Sequence, residues 1–94
     1  MPILRIEHSV TDYDAWKAAF DSDPAGREKS GVRHYQIMRA LDDPNHVMID
    51  LEFDTVKQAE ALLASLHVVW GRVEGSIMRN PQARIVEAVE TRVF

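Results

Sequence analysis

The hydrophobic period of this chain switches repeatedly between that of a strand and that of a helix, and this limits its fold more than any other feature. The clearest stretch is a strand pattern: Val47, Ile49, Leu51 and Phe53 alternate with His46, Met48, Asp50, Glu52 and Asp54. Side chains two apart share a face of a strand, so the first set must meet a core and the second must not. Helical spacing follows at once. Val56, Ala59, Leu62, Leu63 and Leu66 recur on one stripe behind Thr55, a residue suited to an N-cap.

The same logic extends to both ends. Ile3 to His8 alternates, with Leu4, Ile6 and His8 on one side and Ile3, Arg5 and Glu7 on the other, which predicts a first strand. Thr11 then resembles an N-cap, with Asp14 three residues on, and Tyr13, Trp16, Ala19 and Phe20 form the apolar stripe of a first helix. Pro24 and Gly26 are expected to end it, with Arg27, Glu28 and Lys29 as a polar turn before Gly31. A second strand is predicted over 32–40, a compact connection over 41–45 (Leu41-Asp42-Asp43-Pro44-Asn45), and the third strand over 46–53, the two strands forming a hairpin. Past Leu66, Gly71 and Gly75 predict a bent or broken continuation of the second helix. Asn80-Pro81 is expected to punctuate, and 83–94 to form a last strand long enough to cross to a partner subunit.

Strand, helix, strand, strand, helix, strand over residues 1–94 is the order of a split β-α-β pair, an α+β single domain. Its sheet is antiparallel and four-stranded, with two helices on one face. The length fits one core, and 46% hydrophobic with 28% charged residues is the balance of a soluble globular protein. Eleven basic against 15 acidic residues, intermixed in sequence, argue against nucleic acid as a partner. Cysteine is absent, which removes thiolate chemistry and disulfides and fits a cytoplasmic location. No apolar run approaches a membrane span, and no signal peptide is expected.

One face of such a sheet carries the chemistry-bearing residues. Arg5 and Glu7 on the first strand and Asp50 and Glu52 on the third belong to the face turned from the helices. The second strand adds either His34 and Gln36 or Arg33, Tyr35 and Arg39, because its parity is open. A wet sheet face accounts for them simply. Two such faces meeting in a homodimer would instead enclose them. The groups would then pair, as Arg5 with Glu52 or Asp50, or hold a small-molecule ligand. In that cavity His34, Asp50 or Glu52 would serve as catalytic base. Arg5, Glu7 and Arg39 would contact the substrate, and Tyr35 and Trp70 would stack on it. A metal held by His34, His46 and Asp50 lacks a short ligand spacing, and no serine lies in a nucleophile elbow.

The sequence resembles the dimeric α/β-barrel superfamily, in which ferredoxin-like subunits put their sheets together. The residues carrying the resemblance are the run from His8 to Lys17 (HSVTDYDAWK) with Phe20-Asp21, then Arg27, Gly31-Val32, Asp42-Asp43-Pro44-Asn45 and Glu52-Phe53-Asp54. They are similar to a branch of small bacterial proteins labelled cyclase-like or antibiotic biosynthesis monooxygenase-like. The resemblance implies a cofactor-independent cyclase or monooxygenase acting on a hydrophobic or aromatic metabolite, with no cofactor. A non-catalytic dimeric binding or interaction module and a heme-binding monooxygenase are the alternatives. Heme-degrading members imply an asparagine on the first strand and a histidine with a tryptophan near the second helix. Here the first strand offers Glu7 and His8, and His67 and Trp70 stand three apart with the histidine first.

Overall fold

A computed structural model describes residues 1–23 and 26–94. The elements run β1 (Pro2–Val10), α1 (Tyr13–Asp21), β2 (His34–Ala40), β3 (Asp43–Glu52), α2 (Val56–Val73) and β4 (Met78–Glu87). The strands form one antiparallel sheet in the order β2-β3-β1-β4, the ferredoxin-like arrangement expected.

The two central strands alternate cleanly. Leu4, Ile6 and His8 of β1 stand opposite Leu51, Ile49 and Val47 of β3, and all six are buried on the helix side. Arg5 and Glu7 stand opposite Asp50 and Met48 on the open side. Trp16 of α1 and Ala59, Leu62 and Trp70 of α2 close the core with Phe53 and Met78. Each such large side chain contributes about 1.5–3 kcal/mol by leaving water.

Several boundaries differ from the sequence reading, for physical reasons. Asp12, not Thr11, caps α1, its carboxylate accepting from the Asp14 N–H at 3.2 Å. Thr11 turns instead to the segment before β4, its N–H donating to the Ile77 carbonyl and its hydroxyl to that of Ser76. The end assigned to Pro24 lies outside the described residues. Helical hydrogen bonding of α1 already stops at Ser22, and Gly26 (φ +68°) begins the turn that carries Arg27 to Ser30.

The hairpin turn is Leu41-Asp42 alone. Asp43, Pro44 and Asn45 belong to β3 as an irregular edge, with the Pro44 carbonyl accepting from Arg39 Nε and the Asn45 N–H bonding the Asp43 carboxylate. The second strand starts at His34 rather than Val32. α2 runs unbroken through Gly71, where a bare backbone in open space weakens a helix without ending it. The last strand spans 78–87, not 83–94, and Asn80-Pro81 lies inside it. Asn80 takes φ +54° where the β1–β4 register slips, and a proline is tolerated because β4 is an edge strand. Residues 88–94 leave the sheet with Val89, Val93 and Phe94 exposed.

Thr55 opens α2 with a full capping box. Its hydroxyl accepts from the Gln58 N–H at 3.2 Å, and the Gln58 side chain accepts from the Thr55 N–H at 3.1 Å. Gly31, at φ +97°, lies against that box, and a Cβ there would come within 2.6 Å of Gln58 Nε2. Gly31→Ala is therefore expected to destabilise by about 1–3 kcal/mol, through strain and a displaced cap. Gly71→Ala is expected to stabilise by about 0.5–1 kcal/mol. Urea unfolding of the two variants checks the contrast, and a harmless Gly31→Ala would refute the coupling.

Candidate functional site

The open side carries one ion pair and two histidine–carboxylate contacts, side by side. Arg5 grips Asp50 in a bidentate pair, Nε to Oδ1 at 2.9 Å and Nη2 to Oδ2 at 2.8 Å. His34 Nε2 lies 2.7 Å from Glu52, and His46 Nε2 lies 2.8 Å from Glu7. These follow from register: Glu52 sits across from His34, and Asp50 between Arg5 and Gln36. A shallow groove of about 400 Å³ beside them is lined by Arg5, Glu7, Gln82, Arg84 and Val86.

The helix side holds a different space. A cavity of about 300 Å³ lies between the helices and the central strands, walled by Trp16, Phe20, Leu62, Leu66 and Trp70, with Ile6, His8, Ile49 and Leu51 from the sheet. Its volume is at the lower end for small-molecule sites, and an apolar wall with few polar groups is what such sites share. Charged groups on its lining are Asp23, Arg27 and Arg72, apart from the histidine.

His8 is the polar feature that stands out among these walls. It occupies the next inward position after Leu4 and Ile6, where a strand of this pattern ordinarily has an aliphatic residue, and is only 2% exposed. Its Nδ1 lies 3.2 Å from the Ser9 carbonyl oxygen. A carbonyl oxygen can only accept, so the bond requires Nδ1–H and leaves the lone pair on Nε2. No partner for Nε2 occurs among the described residues. The ring meets Trp16 edge-on, 5.4 Å between centroids, at the end of a chain of rings through Phe20 to Tyr35. Burial pushes the His8 pKa below its ordinary 6.5; the Ser9 hydrogen bond opposes this and the charge of His46 adds to it. His8 is thus a neutral base at pH 7, facing an aromatic cavity.

The sequence-predicted site residues divide between the two sides. His34, Asp50, Glu52, Arg5 and Glu7 gather on the open side, Arg5 and Asp50 as an ion pair, His34 against Glu52 and Glu7 against His46. Tyr35 and Arg39 lie on the helix side, because β2 sets Tyr35 across from Leu51 and Arg39 across from Val47. Tyr35 packs on Phe20, and the Arg39 guanidinium sits 4.2 Å from the centre of the Tyr13 ring. Trp70 lines the cavity with His8. The sheet therefore separates Tyr35, Arg39 and Trp70 from the five open-side residues. His8, Trp16 and Arg27 line the cavity and lie outside the set of site residues that the sequence predicts. The signal for His8 was visible, a titratable ring at an inward position of an apolar alternation.

No cluster of three metal-binding side chains occurs among the described residues, and His34 and His46 are six positions apart on the hairpin register, each paired with its own glutamate. His67 is exposed on α2 against Trp70 and does not line the cavity, and β1 has no asparagine. The donor set implied for a heme-degrading site is not formed.

The sequence matches no family model, and no curated protein matches it significantly. Solved structures do resemble it in fold. A protein from Deinococcus radiodurans assigned to antibiotic biosynthesis monooxygenases superposes with TM-score 0.73 at 18% identity, covering 100% of this chain and 98% of that one. SnoaB, a cofactor-independent oxygenase from Streptomyces nogalater, gives TM-score 0.77 at 12% identity over 96% and 94%. MhuD, solved with two manganese protoporphyrin IX molecules per active site, gives 0.71 at 10% identity over the whole of both chains. The chain has the ferredoxin-like fold that antibiotic biosynthesis monooxygenases share.

Proposed function

We propose that this protein binds a hydrophobic aromatic metabolite in the helix-side cavity and acts on it as a cofactor-independent monooxygenase, with His8 as general base. The observation that carries this reading is the neutral imidazole, its Nε2 free among the described residues, within a cavity walled by Trp16, Phe20 and Trp70. The cofactor-independent oxygenase of the same fold supports the reaction type. In this mechanism the ring of the substrate stacks on the aromatic walls, and His8 Nε2 takes a proton from an acidic carbon or hydroxyl. The enolate formed is the electron donor. Dioxygen accepts electrons from it, one oxygen atom stays on the carbon as a new carbonyl, and the other leaves as water with the abstracted protons.

The open side serves a second purpose in this reading, as the face of a homodimer. Arg84, Arg5, Asp50 and Gln36 form one row across the sheet. A two-fold axis parallel to the strands lays Arg5 of one copy over Asp50 of the other, so the face is self-complementary in charge. Ile3, Met38, Met48 and Val86 add half-buried apolar surface. On this view Glu7, His34, Asp50 and Glu52 hold the interface, and Trp70 contacts substrate. Sedimentation velocity at micromolar concentration should give a dimer, and Asp50→Arg, which makes the row cationic, should give a monomer. A monomeric wild type would refute the interface.

Anthrone, an aromatic ketone with an acidic ring methylene, is a suitable test substrate: with dioxygen it gives anthraquinone and water. Oxygen uptake in the presence of a chelator is expected for the wild type and should fall about a hundredfold or more in His8→Gln. Because the active form is the neutral ring and burial holds its pKa below 6.5, the rate should fall toward acid with a midpoint below pH 6.5. Equal turnover by His8→Gln would overturn the assignment of the base.

A further inference from the structure

We infer that the molecule bound in the helix-side cavity is an anionic aromatic whose acidic group is met by Arg72. This rests on the cavity reading above and adds the charge class of the ligand. The chain as a whole is acidic, with formal charge −4, which disfavours anions at long range. The cavity lining departs from that balance, with Arg27 and Arg72 against Asp23 alone. Arg27 is committed within the protein. Its Nη1 donates to the Phe20 carbonyl at 2.7 Å and lies 3.6 Å from the Asp23 carboxylate, while the guanidinium lies 3.8 Å from the centre of the Phe20 ring and 5.1 Å from that of Tyr35.

Asp23 and Arg27 thus answer each other, and Arg72 remains without an ion pair among the described residues. It stands in the last turn of α2 as an exposed residue, and lines the cavity together with Val69, Trp70 and Val73. A neutral ligand would leave the Arg72 guanidinium to water. A carboxylate on a ring seated against Trp70 would receive charge-assisted hydrogen bonds from it. His8, being neutral, adds no positive charge of its own to the cavity.

A basic residue in a last helical turn is also favoured by the helix dipole, and the test must separate the two roles. Calorimetric titration of the full chain with naphthoate and with naphthamide, equal in shape and different in charge, does so. Naphthoate is expected to bind about tenfold or more tighter than naphthamide. In Arg72→Gln the two affinities should converge while that of naphthamide is unchanged. Equal binding of both probes by the wild type, or a preference that survives in Arg72→Gln, would overturn this inference and leave the cavity reading standing. The second result accompanied by lower stability would identify Arg72 as a helix-end residue only. Binding of neither probe would overturn both.

Discussion

The strict alternation of β1 and β3 is the constraint on which the rest of the molecule depends. These are the two central strands, and their register sets apolar residues across from one another on the helix side while Arg5 meets Asp50 on the other. A slip of one residue would turn Leu4, Ile6 and Val47 outward and bury Arg5 and Asp50, which no helix here could compensate. Both candidate surfaces follow from this arrangement. The open side collects charges that satisfy each other, and the helix side collects rings, with a cavity lined by both helices and the sheet.

His8 is the one residue that breaks the chemical rule while obeying the geometric one. It stands inward like Leu4 and Ile6, yet brings a titratable ring into the core. Burial of an imidazole is tolerable only in the neutral form, and the Ser9 carbonyl fixes the tautomer with the lone pair on Nε2. The carboxylates of the open side are in the opposite situation. Asp50 is held by two hydrogen bonds from Arg5, and Glu52 and Glu7 are each within 2.8 Å of a histidine. Each of these carboxylates is already engaged by a neighbouring side chain, whereas His8 lines the apolar cavity with no partner on Nε2 among the described residues, so the helix side is the better place for base chemistry.

Much of the fold was legible in the sequence because its strongest signals are local. The Thr55 cap, the stripe of α2 and the alternation of β3 each reside within a dozen residues and agree with one another. The failures arose where tertiary context outweighs local preference. Asn80-Pro81 looks like punctuation, but an edge strand with a bulge accommodates both the positive φ and the missing N–H. Gly71 looks like a break, but packing on either side carries α2 past it. The site was less legible than the fold. The parity of β2 is ambiguous in sequence because the strand has polar and aromatic residues on both registers, and only its pairing with β3 sends His34 to one side and Tyr35 to the other. Residues of matching chemistry were therefore grouped although the sheet stands between them.

The central claim is that His8 is a neutral base presented to a ligand cavity, and heteronuclear NMR of the histidine side chains tests it most directly. The imidazole of His8 should remain in the Nδ1–H tautomer down to a pH below 6.5, and its Nε2 resonance should shift when an aromatic ligand is added. A His8 ring that titrates at or above 6.5 and does not respond to the ligand would contradict the account.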